Sequence, residues 1–178
     1  MDNRFTMLLP PYRLTDGTLV AVRPIRADDK RALRLAFAHL SPESVRRRFL
    51  APKLRLTESD LRYLTEIDGD DHVAVVAVLA HRPSHIVAVA RFVRLEGTGD
   101  GHSAEAAIVV GDPWQGQGLG RHLGLVLADL ARAHGVRRFV ATMLSDNAAA
   151  HRLFAAISER LHAEVSGGVE ELVAELAA

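Results

Sequence analysis

A glycine-rich loop between a predicted strand and a predicted helix constrains this chain more than any other feature. Residues 104–110 end in an apolar, β-branched run typical of a strand, and Pro113 prevents the strand from continuing because proline lacks a ladder donor. From residue 119 onward, leucine and valine recur at helical spacing as far as Gly135. The loop between them, residues 115–120, has the sequence Gln-Gly-Gln-Gly-Leu-Gly.

This loop has the properties of an anion site. Unpaired backbone N–H groups and the positive end of the helix dipole converge where a helix begins. Gly116, Gly118 and Gly120 let the backbone approach a phosphate without an obstructing side chain. Two nucleotide motifs do not fit, since the dinucleotide fingerprint counted from Gly116 needs a glycine where Arg121 stands, and no Gly-Lys-Ser/Thr triplet follows. The alternative to a phosphate site is a flexible turn.

The rest of the chain mixes strand and helix patterns, which predicts an α/β fold with a mixed sheet. A hairpin-length connector joins two apolar runs, 73–80 and 86–95, and so indicates antiparallel neighbours. Further strands are predicted at 18–24, 104–110 and 138–144. Helices are predicted to begin near residues 28, 44, 57, 119 and 147. A final hairpin is predicted around Gly167-Gly168.

Length and composition fit one domain spanning residues 1–178. A chain of 178 residues with 48% hydrophobic and 25% charged residues can bury a substantial core. No internal repeat, low-complexity tract or linker divides it. Residues 1–17 are expected to form a loosely ordered N-terminal segment.

Charge and cysteine content exclude several classes of function. The 22 basic and 22 acidic residues cancel, so a nucleic-acid partner is not expected. Without cysteine, the chain has no disulfide, thiolate metal site or acyl-cysteine intermediate. No metal site is expected, because Pro83 places His81 and His85 in a loop rather than on one helix face. No membrane span or secretory signal is apparent, so we expect a cytoplasmic protein without a membrane partner.

The loop and its neighbours resemble the GNAT superfamily of acyl-CoA-dependent N-acetyltransferases. Gln115, Gly118 and Gly120 match the signature [Q/R]-x-x-G-x-[G/A] at a strand-to-helix junction. A closer resemblance, over residues 19–154, is to the bacterial protein lysine acetyltransferases (Pat-like GNAT domains). It rests on the segments 22–29, 40–44, 72–74, 104–105 and 114–116. The resemblance implies a GNAT fold with a mixed, mostly antiparallel central sheet flanked by helices.

The resemblance also implies acetyl-CoA as cosubstrate and a set of residues that bind it. The backbone N–H groups of residues 117–120 would hold the pyrophosphate, Val109 and Val110 would line the pantetheine arm, and one of their N–H groups would face the thioester carbonyl. Asn147 would contact the pantetheine or the departing thiol, although an N-cap role is compatible. The implied binding set is Val109, Val110, Gln115, Gly116, Gln117, Gly118, Leu119, Gly120, Arg121 and Asn147.

Glu105 corresponds to the catalytic glutamate of the family. An amine acceptor must lose a proton before it attacks, since a lysine-like ammonium has a pKa of about 10.4. Glu105, ten positions before Gln115, could accept that proton directly or through a water. The alternative interpretation is a solvated strand carboxylate.

One position departs from the family pattern. Many relatives carry a tyrosine that protonates the leaving thiolate seven residues after the asparagine, where this chain has Phe154. The thiolate then leaves unassisted, or Ser145 or a water supplies the proton. We expect direct acetyl transfer to a primary amine, with a protein lysine preferred over a small-molecule amine. A non-catalytic acyl-CoA-binding sensor is the alternative, and a homodimer is compatible with the sequence.

Overall fold

One eight-stranded sheet organises the protein. The computed structural model describes residues 10–97 and 101–177. Its strands lie in the order β1-β2-β3-β4-β5-β6-β8-β7, and every described pair is antiparallel except β5–β6. The mixed, mostly antiparallel sheet predicted from the sequence is therefore confirmed. The strands are β1 (Tyr12–Arg13), β2 (Leu19–Pro24), β3 (His72–Leu79), β4 (Arg82–Arg94), β5 (Ser103–Val110), β6 (Arg138–Leu144), β7 (Ser158–Ser166) and β8 (Val169–Leu176).

Helices cover both faces of this sheet, and local capping sets where several of them begin. The Ser41 side chain accepts from the Ser44 N–H and Pro42 occupies the first turn, so the second helix starts two residues earlier than predicted. Thr57 and Asp60 form a capping box at the helix start predicted near residue 57. The helices are α1 (Lys30–Ala38), α2 (Pro42–Phe49), α3 (Glu58–Thr65), α4 (Leu119–Ala133) and α5 (Ala148–Ile157).

The core is divided by the sheet into two layers. On one face, α4 and α5 bury leucines such as Leu119, Leu123 and Leu127 against the strands. On the other face, α1 and α3 bury Leu33 and Leu61 with their neighbours. Strand β3 is covered on both sides, which explains why its sequence is a continuous apolar run rather than an alternating one.

The described part of the N-terminal segment is more ordered than the sequence predicted. Residues 1–17 were expected to be loosely ordered, yet β1 pairs with β2 and Leu14 is only 2% exposed within the core. The Tyr12 ring stacks on His122 at the start of α4, with 4.0 Å between ring centroids. Burial of Leu14 and Tyr12 therefore orders the described part of this segment, while residues 1–9 lie outside the described residues.

The sheet opens between β5 and β6, and this opening positions the site. The two strands pair in parallel only over Ser103–Glu105 and Arg138–Val140. Beyond that point, β5 remains paired with β4, whereas β6 continues along β8. The diverging strands leave a V-shaped cleft that begins at Glu105 and ends at the loop leading into α4.

Candidate active site

The cleft between β5 and β6 has a volume of about 660 Å³ and collects most of the residues predicted from the sequence. Two predicted residues direct their side chains elsewhere. Leu119 is fully buried in the core, and the Gln117 side chain donates to the Pro113 carbonyl at 2.9 Å. Only the backbone amides of these two residues remain available to a ligand. The predicted residues that line the cleft are Glu105, Val109, Val110, Gln115, Gly116, Gly118, Gly120, Arg121 and Asn147.

The glycine-rich loop presents uncapped amides to the cleft. Gly118 is the N-cap residue of α4, no described side chain caps this helix, and its first turn contains no acidic residue. The amides of the first turn are therefore free to bind an anion. Gly118 has a φ of 86°, and a Cβ at this position would lie 2.9 Å from the Tyr12 hydroxyl. The conformation favours glycine, and a larger residue here would also have to displace the Tyr12 hydroxyl.

A backbone donor from β5 also faces the cleft. The Gly111 N–H donates to the Val87 carbonyl of β4 at 2.8 Å. Because amide groups alternate between the two sides of a strand, the Val110 N–H points away from β4 and toward the cleft. The Val110 carbonyl, on the same side, accepts from Gln115 Nε2 at 2.9 Å. The Val109 N–H, by the same alternation, faces β4.

Glu105 lies at the apex of the cleft. It is exposed, and it pairs with Val93 of β4 and with Val140 of β6 at the last residue before the strands separate. Among the described residues it is the only acidic side chain that lines the cleft. Burial lowers the pKa of the Arg48 guanidinium, and the Glu105 charge opposes that shift, so the two groups interact.

The far wall of the cleft contains Asn147 and Phe154. Asn147 Oδ1 accepts from the Ala150 N–H at 3.2 Å, so this residue caps α5 and lines the cleft at once. Phe154 is 4% exposed and also lines the cleft. No tyrosine, histidine, lysine or cysteine lines it among the described residues, and Ser145 is not part of the lining either.

A cluster of polar side chains, which the sequence did not predict, holds the glycine-rich loop against α2. Asp112 accepts from the Ser41 hydroxyl at 2.6 Å, from the Ser41 N–H at 3.0 Å and from the Ser44 hydroxyl at 2.9 Å. Gln115 Nε2 donates to Ser44 Oγ at 3.1 Å. These partners lie about seventy positions apart, so no local pattern indicates them. The cluster fixes the loop residue Gln115 relative to α2.

We predict that Asp112→Asn lowers the free energy of unfolding by about 1–3 kcal/mol, because the amide nitrogen cannot accept the bonds that the carboxylate accepts. Burial alone would raise the pKa of Asp112, but hydrogen bonds from Ser41 and Ser44 hold it below its ordinary value of 3.8. This stabilisation is present above pH 3.8 and is lost as the pH falls through the lowered pKa. Urea unfolding of both proteins should therefore show a difference that shrinks below that pH. A difference that stays constant down to the lowest pH measured would contradict it.

A second cavity, of about 390 Å³, adjoins the cleft on the α1–α3 face of the sheet. Four residues line both spaces: Arg48, Phe49, Ala107 and Val109. The second cavity extends between α1 and β4 and is mainly apolar. The two spaces therefore meet at these four residues, and one of them, Ala107, is two residues from Glu105 on β5.

The described residues offer neither a metal site nor a membrane-spanning helix. No group of three or more histidine, aspartate or glutamate side chains is arranged to hold a metal ion. His81 is exposed, and His85 contacts the Trp114 ring edge-on at 5.5 Å between centroids. No helix in the described part of the chain has the length and apolar character needed to cross a membrane.

Comparison with known proteins shows that this chain is similar to acetyltransferases. The family model described as "Acetyltransferase (GNAT) family" matches residues 35–157. The chain is 35% identical over 117 residues to "Acetyltransferase Pat" of Mycolicibacterium smegmatis, an alignment that covers 64% of this chain and 33% of that protein. The chain therefore spans about one third of the length of that curated relative.

Two solved structures illustrate the similarity. The GNAT domain of S. lividans PAT superposes with a TM-score of 0.83 at 31% identity, covering 94% of this chain and 96% of that chain. The yncA protein of Salmonella typhimurium, described as a putative acetyltransferase and solved with its cofactor acetyl-CoA, superposes with a TM-score of 0.64 at 20% identity. That alignment covers 88% of this chain and 92% of that chain, and it supports the fold alone.

Proposed function

The chain belongs to the acetyltransferase (GNAT) family, and from this premise we propose that it transfers the acetyl group of acetyl-CoA to a primary amine within a ternary complex. The observation that carries the proposal is the convergence, in one cleft, of uncapped helix amides, an inward-facing Val110 N–H and a single carboxylate, Glu105. Direct transfer follows from the absence of cysteine, since no thiol is available to carry the acetyl group.

We assign several lining residues of the cleft a role in binding acetyl-CoA. The amides of residues 117–120 would hold the pyrophosphate, and Arg121 beside them adds a positive charge. Val109 and Val110 would flank the pantetheine arm, while Asn147 would contact it from the opposite wall. Of the two valines, Val110 is the one whose N–H would stabilise the oxyanion that develops on the thioester carbonyl.

Glu105 would act as the general base. An acceptor ammonium with a pKa of about 10.4 must be deprotonated before its nitrogen can attack the thioester. Glu105 lies two residues from Ala107, which lines both the cleft and the second cavity, so an amine entering from the second cavity would arrive close to it. The nitrogen–carbon bond then forms, the carbon–sulfur bond breaks, and coenzyme A leaves as its thiolate. The first amine proton passes to Glu105 or to a water, and the second leaves the nitrogen as the amide forms and is taken up by water or by the departing thiolate.

The preferred acceptor in this proposal is a protein lysine, as the resemblance of the sequence to the bacterial protein lysine acetyltransferases implies. A small-molecule amine is the second candidate, because the second cavity is large enough to hold a small acceptor whole. The lack of cysteine is compatible with a reducing compartment, and we place the reaction in the cytoplasm.

An acceptor screen tests the proposed function. Purified protein is incubated with acetyl-CoA and with lysine peptides, free amino acids, polyamines or aminoglycosides, and released thiol is measured. Acceptor-dependent thiol release is expected with at least one amine class. Saturable acetyl-CoA binding without thiol release from any acceptor would instead identify a non-catalytic acyl-CoA-binding protein.

The presence of Phe154 leads to a specific prediction about how the reaction rate depends on pH. Because a phenylalanine cannot protonate the leaving thiolate, the pH–rate profile should rise as base and amine lose protons and then stay level, without the fall near pH 10 that a tyrosine acid would cause. Phe154→Tyr should speed the chemical step if its hydroxyl reaches the sulfur. Otherwise it should cost roughly 1–3 kcal/mol of stability as an unsatisfied buried hydroxyl. A descending limb in the parent that is lost in Ser145→Ala would show that another acid exists.

A further inference from the structure

Every titratable side chain that lines the second cavity is basic. His39, Arg48, Arg82, His85 and Arg91 contribute to its wall, and among the described residues no aspartate or glutamate does. The remaining lining is mostly apolar, with the Phe37, Phe49 and Trp114 rings. A space of this composition disfavours a cationic ligand and favours an apolar ligand that carries an anionic group.

Arg91 is a buried cation without an acidic partner. It is 5% exposed, Nη1 lies 3.0 Å from His72 Nε2, and Nη2 donates to the Leu64 carbonyl at 3.1 Å. Burial, together with the Arg48 charge, lowers the pKa of Arg91 to about 10, so it stays protonated at neutral pH. Burial lowers the pKa of His72 to about 4, so His72 remains neutral and can accept the bond. The Arg91 charge is therefore held by neutral groups only.

Strand register places this charge beside the reaction centre. Arg91 on β4 lies directly opposite Ala107 on β5. Glu105 and Val109 are two residues to either side of Ala107, so both are diagonal neighbours of Arg91 at about 7–8 Å on the same face of the sheet. An amine that reaches from Glu105 toward the thioester would thus pass over Ala107, next to Arg91.

The Arg48 guanidinium has N–H donors without an acceptor among the described residues, at the point where the two cavities meet. It lines both cavities, is half-buried, and lies over the Phe49 ring at 5.1 Å. No described group accepts a hydrogen bond from its guanidinium. Its neighbours differ, since Arg46 and Arg47 are exposed and form ion pairs with Glu43 at 3.2 and 2.7 Å. Arg48 is therefore the arginine of this helix that remains available to a ligand.

We propose that the acceptor carries a carboxylate close to its amine, with Arg48 donating hydrogen bonds to that carboxylate and Arg91 adding its charge from the cavity floor. The inference rests on the proposed function and names its substrate class. The amine is directed to Glu105, the one acid among the described residues lining either space, and apolar atoms pack on the aromatic rings. The carboxylate comes either from a small amino acid or from an acidic side chain beside a target lysine.

Matched acceptors test the inference and separate the two sources. One arm compares L-methionine with L-methioninamide, and the other compares N-terminally blocked lysine peptides flanked by glutamate or by glutamine. The measurement is kcat/KM from thiol release at fixed acetyl-CoA. We expect about a tenfold or greater preference for the carboxylate-bearing member in one arm, because charge-assisted hydrogen bonds to a carboxylate are stronger than those to an amide. The arm that shows the preference identifies the source.

Three variants assign the preference to Arg48. Arg48→Gln should remove most of it, Arg48→Lys should keep part of it, and Arg46→Gln, which alters the same helix outside both cavities, should leave it unchanged. Equal kcat/KM values within both arms of an active enzyme, or an equal loss in Arg46→Gln, would overturn the inference while the proposed function stands. An absence of thiol release with every acceptor, despite acetyl-CoA binding, would overturn both.

Discussion

Glu105→Gln is expected to lower kcat by about 10²–10⁴-fold while leaving acetyl-CoA affinity unchanged. The amide has nearly the same volume as the carboxylate but cannot accept the proton from the acceptor amine. Because Glu105 is exposed and forms no ion pair with a described residue, the substitution should change the unfolding temperature only slightly, through the lost attraction to Arg48. Steady-state thiol release and a titration with acetyl-CoA measure the two quantities separately.

A matched control is Glu164→Gln on the exposed edge strand β7, which changes the same charge outside the cleft. This variant should turn over at the parent rate. If Glu105→Gln also acetylates its acceptor at the parent rate near neutral pH, then Glu105 is a solvated strand carboxylate and another group must be the base.

Gly118→Glu should abolish the stabilisation of the fold by acetyl-CoA. At a hundredfold excess over Kd, a ligand specific to the native state adds about 2.7 kcal/mol. At roughly 2–4 °C per kcal/mol for a chain of this size, the parent Tm should rise by several degrees. The variant puts a side chain and a negative charge where the pyrophosphate would lie, in a backbone conformation with φ 86° that already favours glycine.

Gly135→Glu provides the control at the opposite end of α4. Gly135 also has a positive φ, 76°, but open space surrounds it, so the same change adds comparable backbone strain and charge away from the loop. This variant should lose some stability and retain the full acetyl-CoA shift. An unchanged shift in a folded Gly118→Glu protein would show that the loop at 115–120 is not the acetyl-CoA site.

Local patterns in the sequence were sufficient to predict the scaffold of the site. The stop at Pro113, the glycines of the loop and the leucine stripe from residue 119 all depend on neighbours within one or two turns. These features were confirmed as β5, the loop and α4. The capping box at Thr57 and the hairpin at Gly167-Gly168 are local in the same sense and were also found.

The features that the sequence did not indicate all depend on long-range contacts. Arg48 is the third of three consecutive arginines on a short helix, and only the packing of α2 against the sheet turns it inward. Arg91 lies in an apolar strand, and its partners Leu64 and His72 come from two other elements. Tyr12 stacks on His122 of α4, a residue far along the chain, and no pattern near residue 12 could predict this contact.

The most direct test of acetyl transfer is to determine where the acetyl group goes. Protein, isotopically labelled acetyl-CoA and an active acceptor are mixed in a single turnover, and the acceptor and the intact enzyme are analysed by mass spectrometry. We predict one labelled acetyl group on the acceptor nitrogen, one equivalent of free coenzyme A, and an enzyme whose mass never changes. Coenzyme A release without acetylated amine, or a labelled acetyl group held covalently on the enzyme before the acceptor is modified, would contradict direct transfer within a ternary complex.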